Sequence, residues 1–197
     1  MYQVIGAIRT RTFRVLWMLE ELGQDYDLLD AAPRSEQINA YNPTGKVPVL
    51  LVDGEPIIDS TAIMTYLADR HGAMSYPAGT LERARQDALT QFVLDEIDAI
   101  LWTAARHTFI LPEDMRLPEI KTSLRWEFER SVNVLMDRMG DGPFLMGEKM
   151  TIPDIIASHC AGWAIASKFP VSDAFKAYSK RLSARPAFAR AGRPKHI

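Results

Sequence analysis

Apolar positions along the first eighty residues switch between a period of two and a period near 3.6. Tyr2 to Ile5 is a short apolar run that predicts a strand. Val15, Met18, Leu19 and Leu22 follow the i, i+3, i+4, i+7 spacing of one helical face, and Gly23 stands where a C-cap belongs. Tyr26 and Leu28 alternate with polar neighbours, which predicts a second strand. Residues 35–41 read as a short helix or turn, closed by Asn42-Pro43, because the residue before a proline is held away from helical geometry. Val47 to Val52 reads as a buried strand, Asp53-Gly54 as a hairpin turn, and Pro56 to Ile58 as a returning edge strand. A helix with Ile63, Tyr66 and Leu67 on one face then stops near Gly72.

Strand signals end at about residue 80. Ala88, Phe92, Val93, Ile97 and Ile100 form one helical stripe, and Ile120, Leu124, Phe128, Val132, Leu135 and Met139 form another, closed by Gly140 and Gly142. Further helices are predicted over 152–167 and 172–184, with a short one after Pro186. The change from mixed to purely helical patterning predicts an α/β domain over residues 1–75 and an all-α domain over 80–197. Gly72 to Gly79, which contains Pro77, reads as the linker.

Composition narrows the classes. With 47% hydrophobic and 24% charged residues the chain has the makeup of a folded globule and not of a disordered segment. A net charge of −2 argues against a nucleic-acid partner, which calls for a basic excess. Arg190, Arg193 and Lys195 read as a short solvated basic end. The single cysteine, Cys160, permits no internal disulfide and reads as a packed structural thiol. The apolar run Val4 to Ile8 is too short for a signal peptide, and no stretch approaches the ~20 apolar residues of a membrane span. A soluble, cytoplasmic protein with no membrane partner is therefore expected. His71, His107, His159 and His196 are scattered without metal-ligand spacing, so no metal is expected.

Three segments carry chemistry. The run Asn42-Pro43-Thr44-Gly45-Lys46-Val47-Pro48-Val49-Leu50 puts a proline at the mouth of a buried strand, where it removes a ladder donor. One reading is a trans proline at a strand start, the commoner state, since only about 5–6% of X–Pro bonds are cis. The other is a cis Val47-Pro48 bond that turns the Val47 backbone outward, to pair with a peptide-like ligand as an added strand would. Asp59-Ser60 at a predicted helix start is first a cap. The same geometry offers an anion site made of free N–H groups, a hydroxyl and the positive end of the helix dipole. With an acidic side chain beside it for an ammonium, such a site suits an α-amino acid head group. Thr10 and Thr12, within Arg9 to Arg14, read either as caps among solvated arginines or as hydroxyls that stabilise a bound thiolate. The latter would lower a thiol pKa from about 8.5 toward neutrality.

In this order the three segments resemble the cytosolic glutathione transferases, and the resemblance covers the whole chain. The matching stretches are Phe13 through Gly23, Asn42-Pro43 through Val47-Pro48, Asp59-Ser60 with Tyr66-Leu67, and Phe144 through Gly147 followed by Thr151 through Asp154. The resemblance implies a thioredoxin-like N-terminal domain that binds glutathione as co-substrate, an all-helical C-terminal domain that shapes the second pocket, and a homodimer. It implies that Val47, beside Pro48, pairs with the cysteinyl backbone of glutathione. It implies too that Asp59 and Ser60 hold the γ-glutamyl head and that Lys46 and Arg34 reach the glycyl carboxylate. Thr10 stands where serine-type members place the hydroxyl that donates to sulfur, with Thr12 or the Arg11 backbone N–H as alternatives. Tyr2 lies too early to be the tyrosine of the tyrosine-type classes. Threonine replaces the usual serine, and Asp59 replaces the commoner glutamate. Trp102, Arg106 and Phe109 fall where the family lines its electrophile pocket, although aromatics at helical spacing also serve as core. The activity implied is addition of glutathione thiolate to a small electrophilic, mostly apolar substrate. A glutathione-dependent isomerase or dehalogenase and a non-catalytic binding or assembly module are the alternatives.

Thr151-Ile152-Pro153-Asp154 reads without the resemblance. Thr151 caps a helix, Pro153 is tolerated in its first turn, and Asp154 reaches back to close a capping box. Met150 and Ile155 stand at the positions of a hydrophobic staple.

Overall fold

The computed structural model describes residues 1–194, so Lys195 and His196 of the readings above lie outside the described residues. The chain forms two compact units. One is built from Met1–Thr80 together with the chain from Ser183, the other from Leu81–Leu182.

The first unit has strand β1 (Tyr2–Ile5), helix α1 (Thr12–Leu22), β2 (Tyr26–Leu29), a short α2 (Glu36–Asn39), the hairpin β3 (Val49–Val52) and β4 (Glu55–Ile58), and α3 (Ser60–His71). The sheet order is β2-β1-β3-β4, with β1 and β2 parallel and the other pairs antiparallel. This is the thioredoxin-like βαβ sheet. Ile5, Val49 and Leu51 lie on one face of it and pack with Ile38 of α2 and Ala31. Alternation turns Val4 and Leu50 to the other face, where both are fully buried. Val15, Leu16 and Leu19 of α1 and Ile63, Met64 and Leu67 of α3 are also fully buried, and α1 packs against α3. β3 starts after Pro48, two residues later than expected, because Pro48 has no N–H to give the ladder. Pro56 sits on β4, an edge strand, where that loss is tolerated.

The C-terminal boundary expected for the helical domain needs correcting. Helix α9 (Pro186–Ala191) belongs with the first unit and lies against α1. The Phe188 ring meets Phe13 and Trp17 edge-on at centroid separations of 5.0 and 4.9 Å. Arg185 donates twice to the Glu21 carboxylate at 2.6 and 2.7 Å, and Arg190 donates to Glu20 at 2.6 Å. Those pairings span more than 160 residues of chain, beyond the reach of any local pattern.

In the second unit a long helical run consists of α4 (Leu81–Val93), a π segment Leu94–Asp98, α5 (Ala99–Ala105) and a second π segment Arg106–Ile110. Val93, Ile97 and Ile100 of the expected stripe are buried, but Ala88 is exposed. The buried side of α4 carries polar Gln86 and Thr90 instead, with the Thr90 hydroxyl donating to the Gln86 carbonyl at 2.9 Å. Counting apolar residues alone misplaced that face. After a 3₁₀ turn (Pro118–Ile120) come α6 (Lys121–Met139), α7 (Ile152–Ala166) and α8 (Asp173–Ser183). Leu124, Phe128, Val132 and Leu135 of α6 are buried as the spacing predicts. Cys160 on α7 is fully buried, its sulfur 3.7 Å from an Asp98 carboxylate oxygen.

Asp154 closes the start of α7. Its carboxylate accepts from the Thr151 N–H at 2.8 Å, as a capping box requires. It also accepts from the Thr151 hydroxyl at 3.2 Å, the Leu145 N–H at 2.8 Å and the Tyr178 hydroxyl at 2.7 Å. Burial pushes the Asp154 carboxyl above its usual value, and the four donors oppose that rise by favouring the carboxylate. Burial likewise pushes the Tyr178 phenol well up. Met150 and Ile155, the staple positions, are both buried. Among the described residues no helix is long and apolar enough to cross a membrane, and no three His, Cys, Asp or Glu side chains gather as a metal site would need.

Candidate active site

Strand register brings the three chemical segments of the first unit to one end of the sheet. Ile5 pairs with Val49, and Val49 pairs with Ile58. The chain leaving Ile5, the chain entering Val49 and the chain leaving Ile58 therefore meet at the same edge. These are the Gly6–Arg11 loop, Val47-Pro48 and Asp59-Ser60.

Gly6 is what lets the first two approach. Its φ is 146°, and a β-carbon there would overlap the Thr12 hydroxyl and lie 3.0 Å from Val47 Cβ. Sequence reading passed over Gly6, since a lone glycine after a strand carries no distinctive signal. The Thr10 hydroxyl donates to the Ala7 carbonyl at 2.6 Å. Its oxygen accepts from the Thr12 N–H at 3.2 Å and lies 3.0 Å from the Thr12 hydroxyl. With the Thr10 proton committed to Ala7, the Thr12 hydroxyl is the donor of that last pair. Thr10 is half-buried, whereas Thr12 is fully buried beneath it.

The Val47-Pro48 bond is cis. The preceding turn is organised by Asn42, which is buried and was quoted above only as part of a run. Its amide donates to the Lys46 carbonyl at 2.9 Å, and its side-chain oxygen accepts from the Thr44 N–H and hydroxyl at 3.2 and 2.8 Å. Among the described residues no hydrogen bond engages the backbone of Val47. Lys46 is exposed, and so is Arg34. The two are neighbours because the Arg34 N–H donates to the Gly45 carbonyl at 2.8 Å, and a β-carbon on Gly45 would crowd Arg34 Cγ at 2.8 Å.

Asp59 has a left-handed φ of 72°, an uncommon conformation for a side chain without Gly's freedom. One of its carboxylate oxygens caps α3, accepting from the Thr61 and Ala62 N–H groups at 2.8 and 3.1 Å. The capping reading of this residue is thus realised, and it leaves the second oxygen without a hydrogen bond among the described residues. Ser60 is 2% exposed, and among the described residues neither its hydroxyl nor that of Thr61 has a partner. Unpaired buried hydroxyls are costly, and here they stand in the first turn of a helix where the dipole favours an anion.

Trp102, Arg106 and Phe109 belong to the second unit. Trp102 and Arg106 are half-buried on α5 and at the start of the second π segment, and Phe109 is 64% exposed.

Residues 10–70 match the family described as glutathione S-transferase, N-terminal domain. A probable glutathione S-transferase of Nicotiana tabacum is 28% identical over 156 residues, which cover 77% of this chain and 66% of that protein. The glutathione S-transferase GstA of Escherichia coli O157:H7 is 25% identical over 179 residues, covering 85% of this chain and 86% of that one. The crystal structure of a glutathione transferase from Methylococcus capsulatus superposes with a TM-score of 0.82 at 26% identity, covering 97% of each chain. The βαβ sheet, the helices that follow it and the matched stretches agree: residues 10–70 carry the glutathione S-transferase N-terminal domain, and the chain is similar along most of its length to glutathione S-transferases.

Proposed function

We propose that the protein is a glutathione transferase that adds glutathione thiolate to a small electrophilic, mostly apolar substrate. The observation that carries this reading is the buried, unpartnered Ser60 hydroxyl at the start of α3, one strand over from the unpaired backbone of Val47. A γ-glutamyl carboxylate would supply the acceptor that Ser60 lacks, and the open Asp59 oxygen would take the α-ammonium. Val47 would pair with the cysteinyl backbone next to Pro48, and Lys46 with Arg34 would draw the glycyl carboxylate. That arrangement delivers the glutathione sulfur toward the Gly6–Arg11 loop. There the Thr10 hydroxyl, polarised by two donors from Thr12, would swing from Ala7 to the sulfur, because a charged acceptor forms the stronger bond. The S–H proton leaves to water, and the thiolate pair forms the S–C bond as the leaving group departs with its own pair. Fully buried Thr12 acts through Thr10 in this scheme. Trp102, Arg106 and Phe109 would line the second-substrate pocket.

The test is calorimetry with glutathione followed by a conjugation assay with chlorodinitrobenzene. Binding with turnover is expected. Binding without turnover, extended to isomerase and dehalogenase substrates, would favour a non-catalytic binding or assembly module, and failure to bind glutathione would sink all of these readings.

A further inference from the structure

Arg106 carries more donors than its surroundings use. One guanidinium nitrogen donates to the Thr103 hydroxyl at 3.0 Å. Among the described residues the buried Nε–H has no partner and no carboxylate pairs with the group. Arginine stays charged at any relevant pH and its flat edge is shaped for a carboxylate. Its position is equally unusual: Arg106 opens the π segment Arg106–Ile110, a local widening that recurs at functional sites. Helical spacing sets Trp102 one turn before it on the same side. Phe109, Met115 and Leu117 are each more than half exposed. The loop that bears Met115 and Leu117 is tied back to the π segment, with the Leu117 N–H donating to His107 Nδ1 at 3.1 Å. A cation with an unfilled donor thus stands in the same helical run as Trp102, at a segment that also carries accessible apolar side chains.

We propose that Arg106 binds a carboxylate on the second substrate, so that the electrophile is an apolar acid and not a neutral molecule. This deepens the transferase reading and rests on it for the identity of the ligand as substrate. A neutral apolar substrate would leave the Nε–H unpaired in the complex, whereas a carboxylate fills it while the ring or chain lies against Trp102.

Calorimetric titration of the full chain with dinitrobenzoate and with dinitrobenzene compares a charged and a neutral occupant of similar shape. The wild type should hold the benzoate tighter by about tenfold or more, as a charge-assisted hydrogen bond implies. Arg106→Gln should erase that margin by weakening dinitrobenzoate binding far more than dinitrobenzene binding, and Arg106→Lys should keep part of it. In turnover with chlorodinitrobenzoate, where the thiolate displaces chloride, Arg106→Gln should raise KM with kcat nearly constant. Equal affinities in the wild type, binding of neither compound, or a loss in Arg106→Gln that is the same for both would overturn the proposal. If neither chloro compound is conjugated, the transferase reading fails, while the two titrations still decide whether Arg106 selects a carboxylate.

Discussion

At the scale of single residues the site divides between groups that announce themselves and groups that do not. Ser60 and Thr10 stood out because a hydroxyl before a helix has few uses, and each use is testable. Ser60→Ala should weaken glutathione binding by about 1.5–3 kcal/mol, the range for a hydrogen bond to a charged group. Asp59→Asn should weaken it too while keeping the cap, since asparagine caps as well as aspartate. Native affinity in both variants by calorimetry would mean that the pair serves only the helix. Thr10→Val keeps the branched shape but removes the donor, so the thiol pKa of bound glutathione should rise. Each unit is about 1.36 kcal/mol of lost preference for the thiolate. Conjugation should fall near neutral pH and recover at alkaline pH, with affinity little changed. A pH–rate profile identical to that of the wild type would shift the role to a backbone N–H. Gly6 lay outside any such reading, because its importance is an absence: only the folded register shows that Thr12 and Val47 need the space a side chain would fill.

At the scale of elements, what was legible was whatever is written locally. The strands, the hairpin at Asp53-Gly54 and the buried face of α6 follow from periodicity and turn chemistry. The π segments do not, because a single widened turn leaves no mark on an apolar count, and polar Gln86 and Thr90 on the buried face of α4 misdirected that count. The start of α7 shows both sides. Thr151 and Asp154 sit three residues apart and could be read directly, whereas Tyr178, 24 residues on, could not. Tyr178→Phe removes one of four donors to a buried carboxylate and should cost about 1–3 kcal/mol at neutral pH. Its pH dependence has a definite sign. Burial raises the Asp154 carboxyl, and losing a donor raises it further. A carboxyl whose folded value exceeds its unfolded one contributes stability below the unfolded value and loses it as pH rises through the folded value. The deficit of the variant relative to the wild type should therefore grow as pH rises from about 4, the ordinary carboxylate value. A Tm difference that stays constant as pH rises from about 4 would show that Asp154 does not feel the loss.

At the scale of the molecule, family resemblance makes a homodimer the expected state. Sedimentation should give a mass near twice the 22.2 kDa of one chain, and a single-chain mass at micromolar concentration would refute it. The return of the chain to its first unit is the larger feature hidden from the sequence. Helix α9 looks like an appended turn after Pro186, yet it fastens α1, the helix that directly follows the Thr10 loop. The fastening can be tested at Arg185. The Glu21 side chain is 6% exposed and has two partners among the described residues, Arg185 and the Trp17 indole N–H at 2.9 Å. Arg185→Ala would leave a nearly buried carboxylate with the indole alone, a loss of about 1–3 kcal/mol or more for a charged group. The same change loosens the seat of Phe188 against Phe13 and Trp17, so the effect should concentrate in the first unit. Hydrogen exchange should show faster opening of the α1 amides, with those of α6 and α7 unchanged. Retained protection in α1 would mean that α9 rests on the first unit without holding it, and that Glu21 finds its stability elsewhere.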